Sequence, residues 1–139
     1  MPIISFEIVT LLLRISFLIG AITDGLSIIP MVFPSIGSKM FGSALSKAST
    51  AENRFGMNFG AALMAGWTLI LIWGSFDPIG RRDILILVIP VIIGILASMM
   101  VAAKKQVISR NRAIPVWIHL SFCTILFVVS YALSFRITP

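Results

Sequence analysis

The sequence predicts an all-α fold: a transmembrane four-helix bundle, with room for a short interfacial helix between spans one and two. Of 139 residues, 58% are hydrophobic and only 12% charged. Together with a mean hydropathy of +1.06, this excludes a water-soluble globule, in which about a quarter of residues are charged. The apolar runs also match the ~20 residues a helix needs to cross a ~30 Å hydrocarbon core. The segments between them are too short for a separate soluble domain, so residues 1–139 read as one integral membrane domain.

The first span is placed at about 3–24, with extension to 33 left open. It carries Glu7, Arg14 and Asp24 and meets Pro30 and Pro34 near its far end. A single helix from Ile3 to Phe33 would reach about 46 Å, beyond the hydrocarbon thickness. A break is therefore expected at Asp24-Gly25, with residues 26–34 interfacial or re-entrant. A signal peptide is the competing reading of this segment. No Lys or Arg precedes the apolar run and no cleavage pattern follows it, so it is read as a mature helix.

Residues 35–55 are rich in Ser, Gly, Ala and Lys. Met40, Phe41, Ala44, Leu45 and Ala48 recur at helical spacing, which suits a short surface helix as well as a flexible connection. Ser49-Thr-Ala-Glu52 fits a capping box for the second helix. The second, third and fourth spans, at about 57–76, 84–103 and 114–135, contain no Asp, Glu, Lys or Arg before the terminal Phe135. The turn from Asp77 to Asp83 contains Pro78 and Gly80, and Asp83 is placed to cap the third span. Spans two and three should form an antiparallel hairpin, and the short loop 104–112 suggests the same for spans three and four. Pro90 and Gly94 predict a kink in the third span, with a cavity open beside Trp67.

Basic residues divide the two ends. The first and third loops hold seven (Lys39, Lys47, Arg54, Lys104, Lys105, Arg110, Arg112), whereas the second loop and C-terminus hold three (Arg81, Arg82, Arg136). The positive-inside rule then places a multi-pass protein in the plasma membrane with both termini outside the cytoplasm. Lys104, Lys105, Arg110 and Arg112 are candidates for anionic-lipid headgroups. The net charge of +6 has no surface domain to present it to nucleic acid, so the lipid bilayer is the expected partner. Trp73 and Tyr131 fall near one interface and Trp117 near the other, as aromatic belts do.

Chemistry-bearing residues are few. Arg14 within a span should be paired, hydrated or functional, since a central charge costs about 2.5–3.5 kcal/mol on insertion scales. Glu7 lies on nearly the same stripe, and Asp24-Gly25 could serve as an ion site of the broken-helix kind. Glu7, Arg14 and Asp24 are thus the polar-route candidates. His119 and Cys123 share a face of the fourth span, but two ligands make no metal site. No catalytic, nucleotide or cofactor signature is present. Gly56-Met-Asn-Phe-Gly60 and Ala62-Leu-Met-Ala-Gly66 are overlapping small-xxx-small spacings, so Gly56, Gly60, Ala62 and Gly66 are candidate packing positions.

The stretch Gly66-Trp67 through Trp73, followed by Pro78, Arg81-Arg82 and the aliphatic run Ile84–Val91, resembles uncharacterised small prokaryotic four-span membrane proteins. That resemblance covers roughly the middle quarter of the chain and implies a membrane location without an activity. Small multidrug transporters share the size and span count, but their membrane carboxylate lies deeper in the first helix than Glu7. The asparagine and glycine patterns of fluoride channels are not recognisable.

The leading expectation is a non-enzymatic integral membrane protein acting through helix packing, as a complex subunit or homo-oligomer, with no cofactor. Two others stand beside it: a small oligomeric transporter or channel with Arg14 and Asp24 on a polar route, and a membrane enzyme or apolar-ligand binder using His119. The topology is open to test. Single cysteines in the second loop are expected to react with an impermeant thiol reagent added outside, and labelling confined to the cytoplasmic side would overturn the orientation.

Overall fold

The computed structural model describes residues 5–41, 50–106 and 108–136. Among these are five helices: α1 Phe6–Val32, α2 Pro34–Phe41, α3 Ala51–Phe76, α4 Asp83–Lys104 and α5 Arg110–Ser134. The four longer ones are each long and apolar enough to cross a bilayer. The chain is a multi-pass integral membrane protein built as an all-helical bundle.

α1 runs unbroken through Asp24-Gly25, contrary to the expected break there. The physical reason is backbone accounting in a medium without water, where each unmade bond costs several kcal/mol and outweighs the ~1 kcal/mol penalty of a helical glycine. Neighbouring hydroxyls add to the ladder. Thr23 Oγ1 donates to Ile19 O and Ser27 Oγ to Thr23 O, each at 2.8 Å. The helix instead stops at Phe33, whose extended backbone (φ −109°, ψ 93°) is what a residue before proline prefers. Pro34 then opens α2, where its missing N–H costs nothing. At 27 residues α1 is about 40 Å long, so it must tilt or protrude from the hydrocarbon.

Three local expectations shift. The short helix lies at 34–41, earlier than the 40–48 pattern suggested, and residues 42–49 are outside the described part of the chain. The cap of α3 is Thr50, one residue after the Ser49 expected from the capping box. Its side chain accepts from Asn53 N at 3.3 Å, so the extended residue that precedes the helix, and not the first Ser in the motif, takes the role. Asp83 is the first residue of α4 and makes no cap bond as N-cap, a position held by Arg82. Its charge still suits the positive end of the helix dipole. In the turn, Asp77 Oδ1 accepts from Gly80 N at 3.1 Å, and a Cβ on Gly80 would overlap the Asp77 carboxylate.

α1 is the hub. It packs along α3 on one side and α5 on the other, and α4 packs against α5; α3 and α4, although consecutive, scarcely meet. The expected hairpin between spans two and three is therefore a connection without much of an interface, because α3 packs on α1 and α4 on α5. The common core combines Val9, Leu13, Phe17 and Ala21 of α1 with Leu71, then Leu85, Val88 and Ile92 of α4, and Leu120, Cys123 and Phe127 of α5. Trp67 packs against this core.

In lipid, apolar surface alone does not drive helices together, so close contact and buried polar bonds decide which faces meet. Gly74 lies against the Phe17 ring, and a Cβ on Gly20 would stand 3.1 Å from both Leu71 and Phe127. These glycines set the antiparallel register of α1 on α3. On the other side of α1, the buried hydroxyls of Ser16 and Ser130 share a 2.8 Å hydrogen bond.

Two glycines make a matched pair for testing this packing. Gly74→Ala is expected to destabilise by about 1–3 kcal/mol through overpacking on Phe17. Gly94→Ala, where nothing lies within 4 Å, is expected to be neutral or stabilising by up to about 1 kcal/mol. Thermal unfolding in detergent reads both, and equal effects would refute the assigned register.

Candidate functional site

The charged residues of the spans separate into two places rather than lining one route. The first is the end where α3 and α5 terminate. The last four carbonyls of a helix have no partner within it and carry its negative dipole end, so cations are favoured there. Three arginines occupy such positions. Arg14 Nε donates to Ser75 O at 3.3 Å, Arg81 Nη1 to Trp73 O at 2.6 Å, and Arg82 Nη1 to Ser134 O at 3.2 Å. Arg81 also lies 3.8 Å over the Trp73 ring and Arg82 4.1 Å over that of Phe135, adding cation–π attraction.

Arg14 is thus level with the penultimate residue of α3, near a membrane face and not at its centre. No carboxylate pairs with it among the described residues. Glu7 is exposed in the first turn of α1, where the helix dipole favours a negative charge. The possible Glu7–Arg14 contact is not made, because the α3 carbonyl supplies a nearer acceptor.

The second place lies toward the opposite end. Asp24, half-buried, continues the α1 stripe of Leu13, Phe17 and Gly20 that faces α3 and α5. Thr23, the residue before it, reaches α5. There, His119 Nε2 and Thr23 Oγ1 are 2.9 Å apart, and Cys123 Sγ is 3.6 Å from the same nitrogen. Thr23 Oγ1 also lies 2.8 Å from Ile19 O, so when its hydrogen is given to that carbonyl the hydroxyl accepts from His119 Nε2–H. The structure therefore brings Thr23, the neighbour of Asp24, to the His119–Cys123 pair, a meeting that sequence spacing does not reveal. It divides Arg14 from Asp24. No group of three metal-ligating side chains forms among the described residues.

The packing candidates divide as well. Gly60 faces Met31, with 3.6 Å from a Cβ position to the sulfur, whereas Gly56 and Gly66 have nothing within 4 Å and Ala62 is exposed. Of the headgroup candidates, Lys104, Lys105 and Arg110 are exposed, and Arg112 Nη1 donates to Lys39 O at 2.9 Å. That bond ties α5 to α2. The carbonyl partners of Arg14, Arg82 and Arg112 could not be found by sequence inspection, since every residue carries the same carbonyl.

The role of Arg14 has a direct check. Arg14→Leu removes a charge-assisted bond to a helix end and is expected to cost about 1–3 kcal/mol of stability, whereas Arg14→Lys should recover part of it. Unfolding in detergent measures the difference, and an unchanged or more stable Leu variant would refute the assignment. No protein-family model, curated protein or solved structure matches this chain.

Proposed function

We propose that the protein is a non-enzymatic plasma-membrane component that works through helix packing, as a homo-oligomer or a small subunit of a complex, with both termini outside the cytoplasm. One observation carries this reading. Gly20, Gly60 and Gly74 are engaged within the chain, whereas Gly56 and Gly66 on α3 and Gly94 on α4 remain uncovered. Small residues at a lipid-facing surface gain little from lipid and much from a close helix. α3 and α4 also leave each other largely unpacked, so each keeps a lengthwise face for a neighbour.

A second reading, a cation route through an oligomer, draws support from Asp24, a carboxylate within a span that lacks a basic partner among the described residues. Arg14, the other residue of that route, gives its Nε–H to Ser75 O and keeps both Nη groups for it.

Subunit counting by single-molecule photobleaching in nanodiscs separates these outcomes. The wild type is expected to form dimers or larger species and Gly66→Leu to shift them toward monomer. A strict monomer with no co-purifying protein would refute the packing reading. Proteoliposome cation flux that is lost in Asp24→Asn would favour the second.

A further inference from the structure

Where α1 bends into α2, Met31, Val32, Pro34, Arg54, Met57 and Asn58 line a cleft of about 140 Å³. The backbone explains its acceptors. Phe33 N donates to Ile29 O, and Ile36 N and Gly37 N donate to Phe33 O. Pro34 has no N–H to give. Among the described residues, the carbonyls of Met31 and Val32, in the last turn of α1, therefore receive no backbone donor across the bend.

The opposite wall is the first two turns of α3. Arg54 and Asn58 are four apart and so share a helix face, with Met57 beside them. Arg54 is exposed and has no carboxylate or carbonyl partner for its guanidinium among the described residues. The cleft thus holds one permanent cation, one primary amide, backbone acceptors and the apolar side chains of Met31, Val32 and Met57. It contains no carboxylate.

A guanidinium matches phosphate in charge and fork geometry. The cleft lies at the end of the bundle that bears Lys39, Lys104, Lys105, Arg110 and Arg112 and where α1 leaves its span, the depth of lipid headgroups. We propose that it binds the phosphodiester of one anionic membrane lipid with a hydroxylated headgroup. The phosphate oxygens accept from Arg54 and the Asn58 amide, headgroup hydroxyls donate to the Met31 and Val32 carbonyls, and the first acyl methylenes lie on the methionines. A choline headgroup has no hydrogen to donate to these carbonyls, and its zwitterion brings no net negative charge to Arg54. Free phosphate shares the Arg54 chemistry but would leave the apolar wall unused.

The test is native mass spectrometry of the full chain in detergent, with phosphatidylglycerol or phosphatidylcholine added. Wild type is expected to retain one phosphatidylglycerol under conditions that strip phosphatidylcholine. Arg54→Gln should weaken this retention roughly tenfold through loss of a charge-assisted bond, and Lys39→Gln, which removes the same charge on α2, should weaken it far less. Asn58→Leu provides the same reading if the arginine variant does not fold. Retention unchanged in a folded Arg54→Gln, equal retention of both lipids, or an equal loss in Lys39→Gln would overturn the proposal. Displacement of the lipid by inorganic phosphate that is itself retained would reassign the site to free phosphate.

Discussion

Inside hydrocarbon there is no water to accept or donate a hydrogen bond, so each backbone N–H and C=O must find its partner within the protein. That constraint keeps α1 helical through Asp24-Gly25 even though local composition favours a break. It also explains why hydroxyls within the spans, such as Thr23, Ser27 and Thr124, donate to the carbonyl four residues earlier. Helix ends are where the constraint is hardest to meet. Arg14, Arg81 and Arg82 meet it for α3 and α5 by reaching from other segments. Arg14 of the first span and Arg81 and Arg82 of the second loop are thus an architectural answer to carbonyls left over at helix termini.

The same medium removes the usual reason for helices to associate, because lipid is as apolar as a leucine side chain. Contact then depends on how near two backbones can come and on which buried polar groups meet. Gly20 and Gly74 bring α1 and α3 together, and Ser16 with Ser130 joins α1 to α5. α1 becomes the centre because it carries small and polar residues toward both neighbours. α4, with mostly aliphatic side chains, attaches through α5. Gly56, Gly66 and Gly94 stand outside that scheme, with nothing within 4 Å of a Cβ position.

Polar groups away from the helix ends are arranged differently. Thr23, His119 and Cys123 meet across α1 and α5, whereas Arg54 and Asn58 line a cleft at the end of α1. In the first group Cys123 is buried and His119 exposed, whereas Arg54 and Asn58 are both exposed. Cations at the α3 and α5 ends are occupied, whereas Arg54 has no hydrogen-bond partner for its guanidinium among the described residues. This contrast, and not the number of basic residues, distinguishes a structural arginine from one available to a ligand.

Much of the architecture was readable along the chain. Uninterrupted apolar stretches of bilayer length, broken by Pro78-Ile-Gly80 or by basic loops, place four helices, because transfer to hydrocarbon depends on composition summed over about 20 residues. Helix limits were less legible: the stop at Phe33 depends on Pro34 acting on its predecessor, and Thr50 displaced Ser49 as cap through backbone conformation. Partners across helices were not legible at all. Gly74 and Gly66 look alike in sequence, yet one faces Phe17 and the other open space. Arg14 and Arg54 are the same residue, yet one meets a carbonyl and the other a cleft. Composition sets the solvent of each segment, but neighbours depend on helix rotation and register, which arise only when all the segments pack together.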